Sequence, residues 1–156
     1  MASITSANAT MFLTIPGVYP APTQIQGFAV DDAFAVAAAS SGASGGIAHT
    51  EVGVDGFGVG GFVPVAVMMT LKLLPSSPSV TVFENWFEAM VALNDVLPCV
   101  GNISQPSINR KYMMYYGIFD TTDFLATAKK TLQDREFKIS WLPQGPGIPA
   151  VTAAPF

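Results

Sequence analysis

The chain has 156 residues, of which half are hydrophobic and only 12% are charged, against roughly 25% charged in an ordinary soluble domain. This length predicts a single domain, and a domain of about 150 residues leaves roughly 30% of its unfolded chain's surface exposed. The excess apolar surface must therefore be covered by a membrane or by other subunits.

A membrane is the poorer explanation. The apolar stretch best suited to one, Gly56 to Leu71, is shorter than the roughly 20 residues that span a bilayer, and glycines and Pro64 interrupt it. The N-terminus lacks the basic region and long apolar core of a secretory signal. Cys99 is the single cysteine, which predicts a small buried hydrophobe. We expect no membrane insertion, folding in a cytoplasm, and coverage by further copies of the chain.

The charge of the chain is unevenly distributed. No lysine or arginine precedes Lys72, and the whole net charge of −4 lies in residues 1–71. Beyond that point, seven bases balance seven acids. The acids of the first part are Asp31, Asp32, Glu51 and Asp55. A surface that carries only acids repels nucleic acid.

Taken in chain order, residues 1–22 are rich in Ser, Thr, Ala and Pro and predict an N-terminal arm. The folded domain is expected over residues 23–142. Its first strand is predicted from Gln24 to Phe34 and its second from Thr50 to Gly56, paired as a long hairpin around an Ala/Ser/Gly tract. In the second strand Val52 and Val54 are expected to face the core, opposite Glu51 and Asp55.

A Gly-rich turn is predicted over residues 57–62, and a third strand from Val65 to Leu74. Ser77 and Pro78 are typical of a helix N-cap and first helical position, and the helix is expected to end near Asn94 or Asp95. Its apolar residues cover more than one side. Those expected in the core or at an interface are Val80, Phe83, Trp86, Phe87 and Met90.

Three more strands are predicted, at Cys99–Gln105, Lys111–Phe119 and Arg135–Leu142, with a turn at residues 106–109. The last of these strands shows strict period-two alternation. Residues 143–156 predict an irregular C-terminal tail. The fold class is therefore mainly β with one α-helix (α+β).

Catalytic chemistry finds little support in the sequence. His49 is the only histidine, and no acid lies nearer in sequence than Glu51, so a loop or interface role is favoured over catalysis. A metal site built from Asp31, Asp32, His49 and Glu51 stays open as an alternative, although these residues lack a diagnostic spacing. We expect no enzyme activity, and we assign no catalytic, cofactor-binding or metal-binding residue.

Several short segments follow one another in a recognisable order: Ile25–Phe28, Asp31–Phe34, Val52–Gly56, Gly61–Pro64, Ser76–Val80, Ala128–Gln133 and Phe137–Trp141. In this order the chain resembles the tail tube proteins of tailed bacteriophages over roughly residues 24–141. The resemblance implies that residues 23–142 are a tail-tube domain.

The resemblance implies a β-sandwich or split-barrel subunit with a helix at its flank. Six subunits would form a ring, rings would stack into a tube, and the inner strands of neighbours would join in one ring-shaped β-barrel. The implied partners are the chain itself, a baseplate hub, a tail terminator and, in a contractile tail, a sheath protein. Genomic DNA would pass through the lumen of the virion tail without specific binding.

Strand parity together with this resemblance predicts which residues face the lumen. If Val52 and Val54 face the core, Glu51 and Asp55 face the channel, and Asp31 or Asp32 joins them. Three alternatives remain: the tube of a phage-derived injection device, a β-sandwich binding module that forms no tube, and a small metal-dependent hydrolase.

Overall fold

The computed structural model describes residues 9–29, 34–38, 48–62, 64–122, 125 and 128–155. These residues form a mainly β structure with one α-helix, as the sequence predicts. The elements are β1 (Thr10–Ile15), β2 (Tyr19–Ile25), β3 (Phe34–Ala38), β4 (Ala48–Val52), β5 (Gly58–Phe62), β6 (Val67–Leu73), α1 (Val80–Leu93), β7 (Cys99–Gln105), β8 (Arg110–Thr122), β9 (Arg135–Trp141) and β10 (Val151–Pro155).

Eight strands form one antiparallel sheet in the order β2-β1-β7-β8-β9-β6-β3, with β10 paired to β8. After β2, the chain crosses to the opposite end of the strand order. There the Ala29 N–H donates to the carbonyl of Lys72 in β6 at 2.9 Å. The described strands form no closed barrel. β4 and β5 pair only with each other.

Alternation along the strands builds the core. In β9 the residues Phe137, Ile139 and Trp141 are fully buried, and the residues between them are half-buried. Strands β1 and β6 repeat this pattern, as expected where one face of a sheet is covered. Arg135, which continues the buried row of β9, pairs through Nη1 with Glu84 Oε1 at 2.7 Å.

Helix α1 packs on the sheet through aromatic side chains. Phe83 stacks on Phe137 with ring centroids 4.5 Å apart, and Trp86 stacks on Phe119 at 4.9 Å. The Trp86 indole N–H donates to the Leu97 carbonyl at 2.9 Å, which satisfies its buried polar atom. The helix ends at Asn94 in the left-handed conformation, a usual helix stop.

The predicted start of the helix is wrong by two residues, since the structure places the N-cap at Ser79, whose side chain caps nothing. The Ser77 hydroxyl accepts from the Ser79 N–H at 3.2 Å, and both serine side chains also bond to Gln26, just after β2. The Ser79 hydroxyl accepts from the Gln26 N–H at 2.7 Å, and the Ser77 hydroxyl donates to the Gln26 carbonyl.

Other predictions also need correction. Thr10–Ile15, expected in the N-terminal arm, is β1, a strand between β2 and β7 whose Met11, Leu13 and Ile15 are fully buried. Residues 151–155 of the expected irregular tail form β10, paired to β8. The predicted strand over residues 24–34 is wrong in its described part, since β2 ends at Ile25 and Gly27 has a φ of +75°, while residues 30–33 lie outside the described residues. Its predicted pairing with the next strand is also wrong, since β4 pairs with β5. The predicted glycine-rich turn at 57–62 is largely β5.

Candidate functional site

The β4–β5 hairpin is the feature that the rest of the fold does not explain. Its register runs from Ala48 opposite Phe62 to Val52 opposite Gly58. In the turn, the Gly53 N–H donates to the Phe57 carbonyl at 2.8 Å. Gly56 adopts a φ of +87° there, which favours glycine. The local sequence therefore accounts for the hairpin itself, but not for its exposure.

Every residue of β4 and β5 is exposed. Val52 is 74% and Phe62 78% accessible, and Val54 in the turn is fully exposed. The prediction that Val52 and Val54 face the core is therefore wrong for the single chain. The reason is that, within the described ranges, no other strand pairs with the hairpin and no apolar layer lies on it.

The two faces of the hairpin differ in chemistry, because residues opposite one another in an antiparallel pair share a face. One face, here called the acidic face, carries His49, Glu51, Val59 and Gly61. The opposite face, here called the uncharged face, carries Ala48, Thr50, Val52, Gly58, Gly60 and Phe62.

The residues expected to line a channel are only partly brought together. Glu51 lies on the acidic face, where its Oε1 is 3.1 Å from His49 Nε2. Asp55 lies in the turn, where its Oδ1 accepts from the Phe57 N–H at 3.2 Å, so strand parity no longer fixes its direction. Asp31 and Asp32 fall outside the described residues.

The metal alternative gains no support from the part of the chain that the structure describes, where no three His, Cys, Asp or Glu residues cluster around a possible ion. Of the four proposed ligands, the structure describes His49 and Glu51, and these two lie in contact. Cys99 is buried, and burial raises the pKa of its thiol far above the ordinary range because the thiolate would be desolvated. Its thiol is therefore inert in the folded protein.

A second surface is a groove of about 410 Å3 between the C-terminal half of α1 and β8. Its lining is largely apolar, and Asn94, Asp95 and Asp120 form its polar part. The apolar lining residues are Phe87, Met90, Val91, Val96 and Phe119. We refer to this surface as the helix groove.

The helix residues singled out from sequence divide between core and groove. Val80, Phe83 and Trp86 are buried, whereas Phe87 and Met90 are half-buried at the helix groove. The groove itself was not foreseen, since it depends on how closely β8 approaches the end of α1. Its lining includes two exposed apolar side chains, Val91 and Val96, which no local pattern in the sequence marks as groove residues.

Among the described residues, no helix has the length and apolarity needed to cross a bilayer.

Comparison with known proteins places the chain among the structural proteins of bacteriophage tails. Residues 2–143 match a family model described as tail fiber protein gp32, and the chain belongs to that family. A search of curated proteins finds no match. The chain is thus a phage tail protein and a virion component, which agrees with the broader part of the resemblance, while the family's description names a fiber and not a tube.

Proposed function

We propose that this chain is the subunit of a phage tail tube, a structural and non-enzymatic protein that assembles as stacked hexameric rings. The observation that carries the proposal is the fully exposed β4–β5 hairpin. An isolated two-stranded hairpin is marginally stable in water, and exposed apolar surface of this kind marks protein contacts. A neighbouring subunit would supply the missing cover.

The open sheet adds to this argument. Among the described strands, β2 and β3 lie at its two ends in the strand order, and unpaired strand edges invite pairing with another chain. Contacts between two different surfaces of identical subunits form rings when the rotation closes.

In a tube, the inner strands of neighbouring subunits would join around a lumen. The tube would meet a baseplate hub, a tail terminator and, in a contractile tail, a sheath. Assembly takes place in the host cytoplasm, and a tube of a phage-derived injection device would use the same subunit design.

The acidic face of the hairpin suits the lining of such a tube. The hairpin carries Glu51 and Asp55 and no lysine or arginine. Rings of these carboxylates, together with Asp31 or Asp32, would leave the phosphates of passing DNA without neutralising contacts, and binding to DNA depends on such contacts. The channel would therefore conduct DNA without holding it.

A tail fiber subunit is the second candidate, favoured by the description of the matching family. Electron microscopy of the purified protein separates the two. Rings or hollow tubes are expected for a tube subunit, and thin rods without a lumen for a fiber. Featureless monomers at every concentration would contradict both and favour a β-sandwich binding module.

The channel role is tested by Glu51→Lys/Asp55→Lys, with Glu88→Lys on the outer surface of α1 as a control. We expect the double variant to form tubes and to deliver DNA more slowly than wild type, with a defect that weakens as salt rises. The control should deliver normally. Undiminished delivery by the double variant through normal tubes would place these acids away from the DNA path.

A further inference from the structure

Strand β5 contains three glycines in five residues, Gly58, Gly60 and Gly61, although glycine weakens a strand. The fold of this chain does not require them. An added Cβ would lie 3.8 Å from Val52 at Gly58 and 3.7 Å from Thr50 at Gly60, both ordinary contacts, and would meet nothing within 4 Å at Gly61. None of the three has a positive φ.

Glycine in a strand often marks a place where another chain approaches closely. Gly58 and Gly60 both lie on the uncharged face, where they leave bare backbone between Val52 and Phe62. The result is a flat apolar strip with one protruding aromatic ring, a shape that fits a groove.

The helix groove has the matching chemistry. Its floor is apolar, and Asp95 and Asp120 place two carboxylates in its lining. These carboxylates would repel Glu51, so the acidic face is disfavoured there. The uncharged face brings no charge, and its only polar side chain, Thr50, has a hydroxyl that can donate to a carboxylate.

A second copy of the chain is the occupant that these surfaces favour, because every copy carries one hairpin and one groove. Burying Phe62 would remove roughly 150–250 Å2 from water, and Val52 and the glycine backbone extend the contact. Each copy would make two such contacts with two different neighbours, one through its hairpin and one through its groove. Contacts between unlike surfaces also build rings and filaments.

We propose that the uncharged face of the β4–β5 hairpin docks into the helix groove of a second copy. The acidic face then remains open to solvent. This inference rests on the proposed self-assembly and names the surfaces that carry it.

The first test compares two adjacent glycines that face opposite ways. Gly60→Val places a side chain on the uncharged face, and Gly61→Val places the same side chain on the acidic face. Valine favours strands, so neither change should weaken the hairpin. Gly60→Val should raise the concentration needed for assembly by on the order of tenfold or more, whereas Gly61→Val should assemble as wild type does. Equal behaviour of the two variants would overturn the docking.

The second test is cross-linking of the near-isosteric double variant Thr50→Cys/Val96→Cys with a short bismaleimide. Docking between copies predicts a ladder of covalent oligomers. The control Glu51→Cys/Val96→Cys presents its cysteine on the acidic face and should give no ladder, and wild type should give none because Cys99 is buried.

The outcomes separate the two proposals. Wild-type rings or tubes combined with no ladder would overturn the docking and leave the tube function standing. A link formed only within single chains would also overturn it, since the hairpin would then fill its own groove. A wild-type protein that never assembles would overturn the tube function itself.

Discussion

Phe83 and Phe62 are the same side chain in two opposite settings. Phe83 is fully buried and stacked on Phe137 between helix and sheet, whereas Phe62 is 78% exposed on the hairpin. The helix–sheet core therefore completes its apolar contacts within one chain, and the hairpin does not. The difference teaches that the high hydrophobic content of this sequence serves two purposes, folding in one region and, as we propose, assembly in the other.

Aromatic truncation should produce the largest contrast between the two regions. Trp86→Ala removes a buried side chain and its stacking on Phe119, and should lower the free energy of unfolding by about 3–5 kcal/mol. Phe62→Ala should change it by less than about 0.5 kcal/mol in the monomer. Urea unfolding below the assembly concentration measures both, with Glu88→Ala as a second surface control. Similar losses of unfolding free energy for Trp86→Ala and Phe62→Ala would contradict the difference between the core and the hairpin.

Glycine substitutions probe the same contrast by adding volume. A Cβ at Gly117 would lie 2.6 Å from the Trp141 ring and 2.8 Å from the Cys99 sulfur, so Gly117→Ala should cost about 1–3 kcal/mol through overpacking. Gly60→Ala has room and should be neutral or stabilising by a few tenths of a kcal/mol, since it restricts the unfolded chain. If Gly117→Ala leaves the free energy of unfolding unchanged, the Trp141 ring and the Cys99 sulfur are not tightly packed against this position.

A third prediction concerns Cys99 and pH. Burial raises the pKa of this thiol above its unfolded value, so the folded state keeps the proton after the unfolded state has lost it. The free energy of unfolding is therefore unaffected below the unfolded pKa of about 8.5 and falls as pH rises above it, by about 1.4 kcal/mol near pH 9.5. Cys99→Ala should lack this component of the fall. Parallel pH profiles for both proteins would contradict it.

Sequence reasoning succeeded where a pattern is local. The alternation of Arg135–Trp141 and the face formed by Met69, Leu71 and Leu73 identify β9 and β6 directly. It failed for β1, where the same alternation is short and surrounded by Ser, Thr and Ala. It failed also for strand pairing, because the partner of β3 lies far away in sequence and no local pattern encodes it.

The hairpin shows that alternation alone cannot predict burial within one chain. Val52 and Val54 alternate with acids as a half-buried strand does, yet both are exposed. Alternation indicates that one face is to be covered, but it does not say which chain covers it. The same alternation predicted that Glu51 and Asp55 share one strand face. Only Glu51 lies in a strand, because β4 ends at Val52 and Asp55 belongs to the turn.

Calorimetric melting over a range of protein concentrations tests the central claim most directly. If the exposed hairpin is an assembly surface, the Tm of wild type should rise with concentration, since assembly stabilises the folded state by mass action. Phe62→Ser should fold and melt at a Tm independent of concentration. A wild-type protein that melts as a monomer at one Tm across all concentrations would contradict the account.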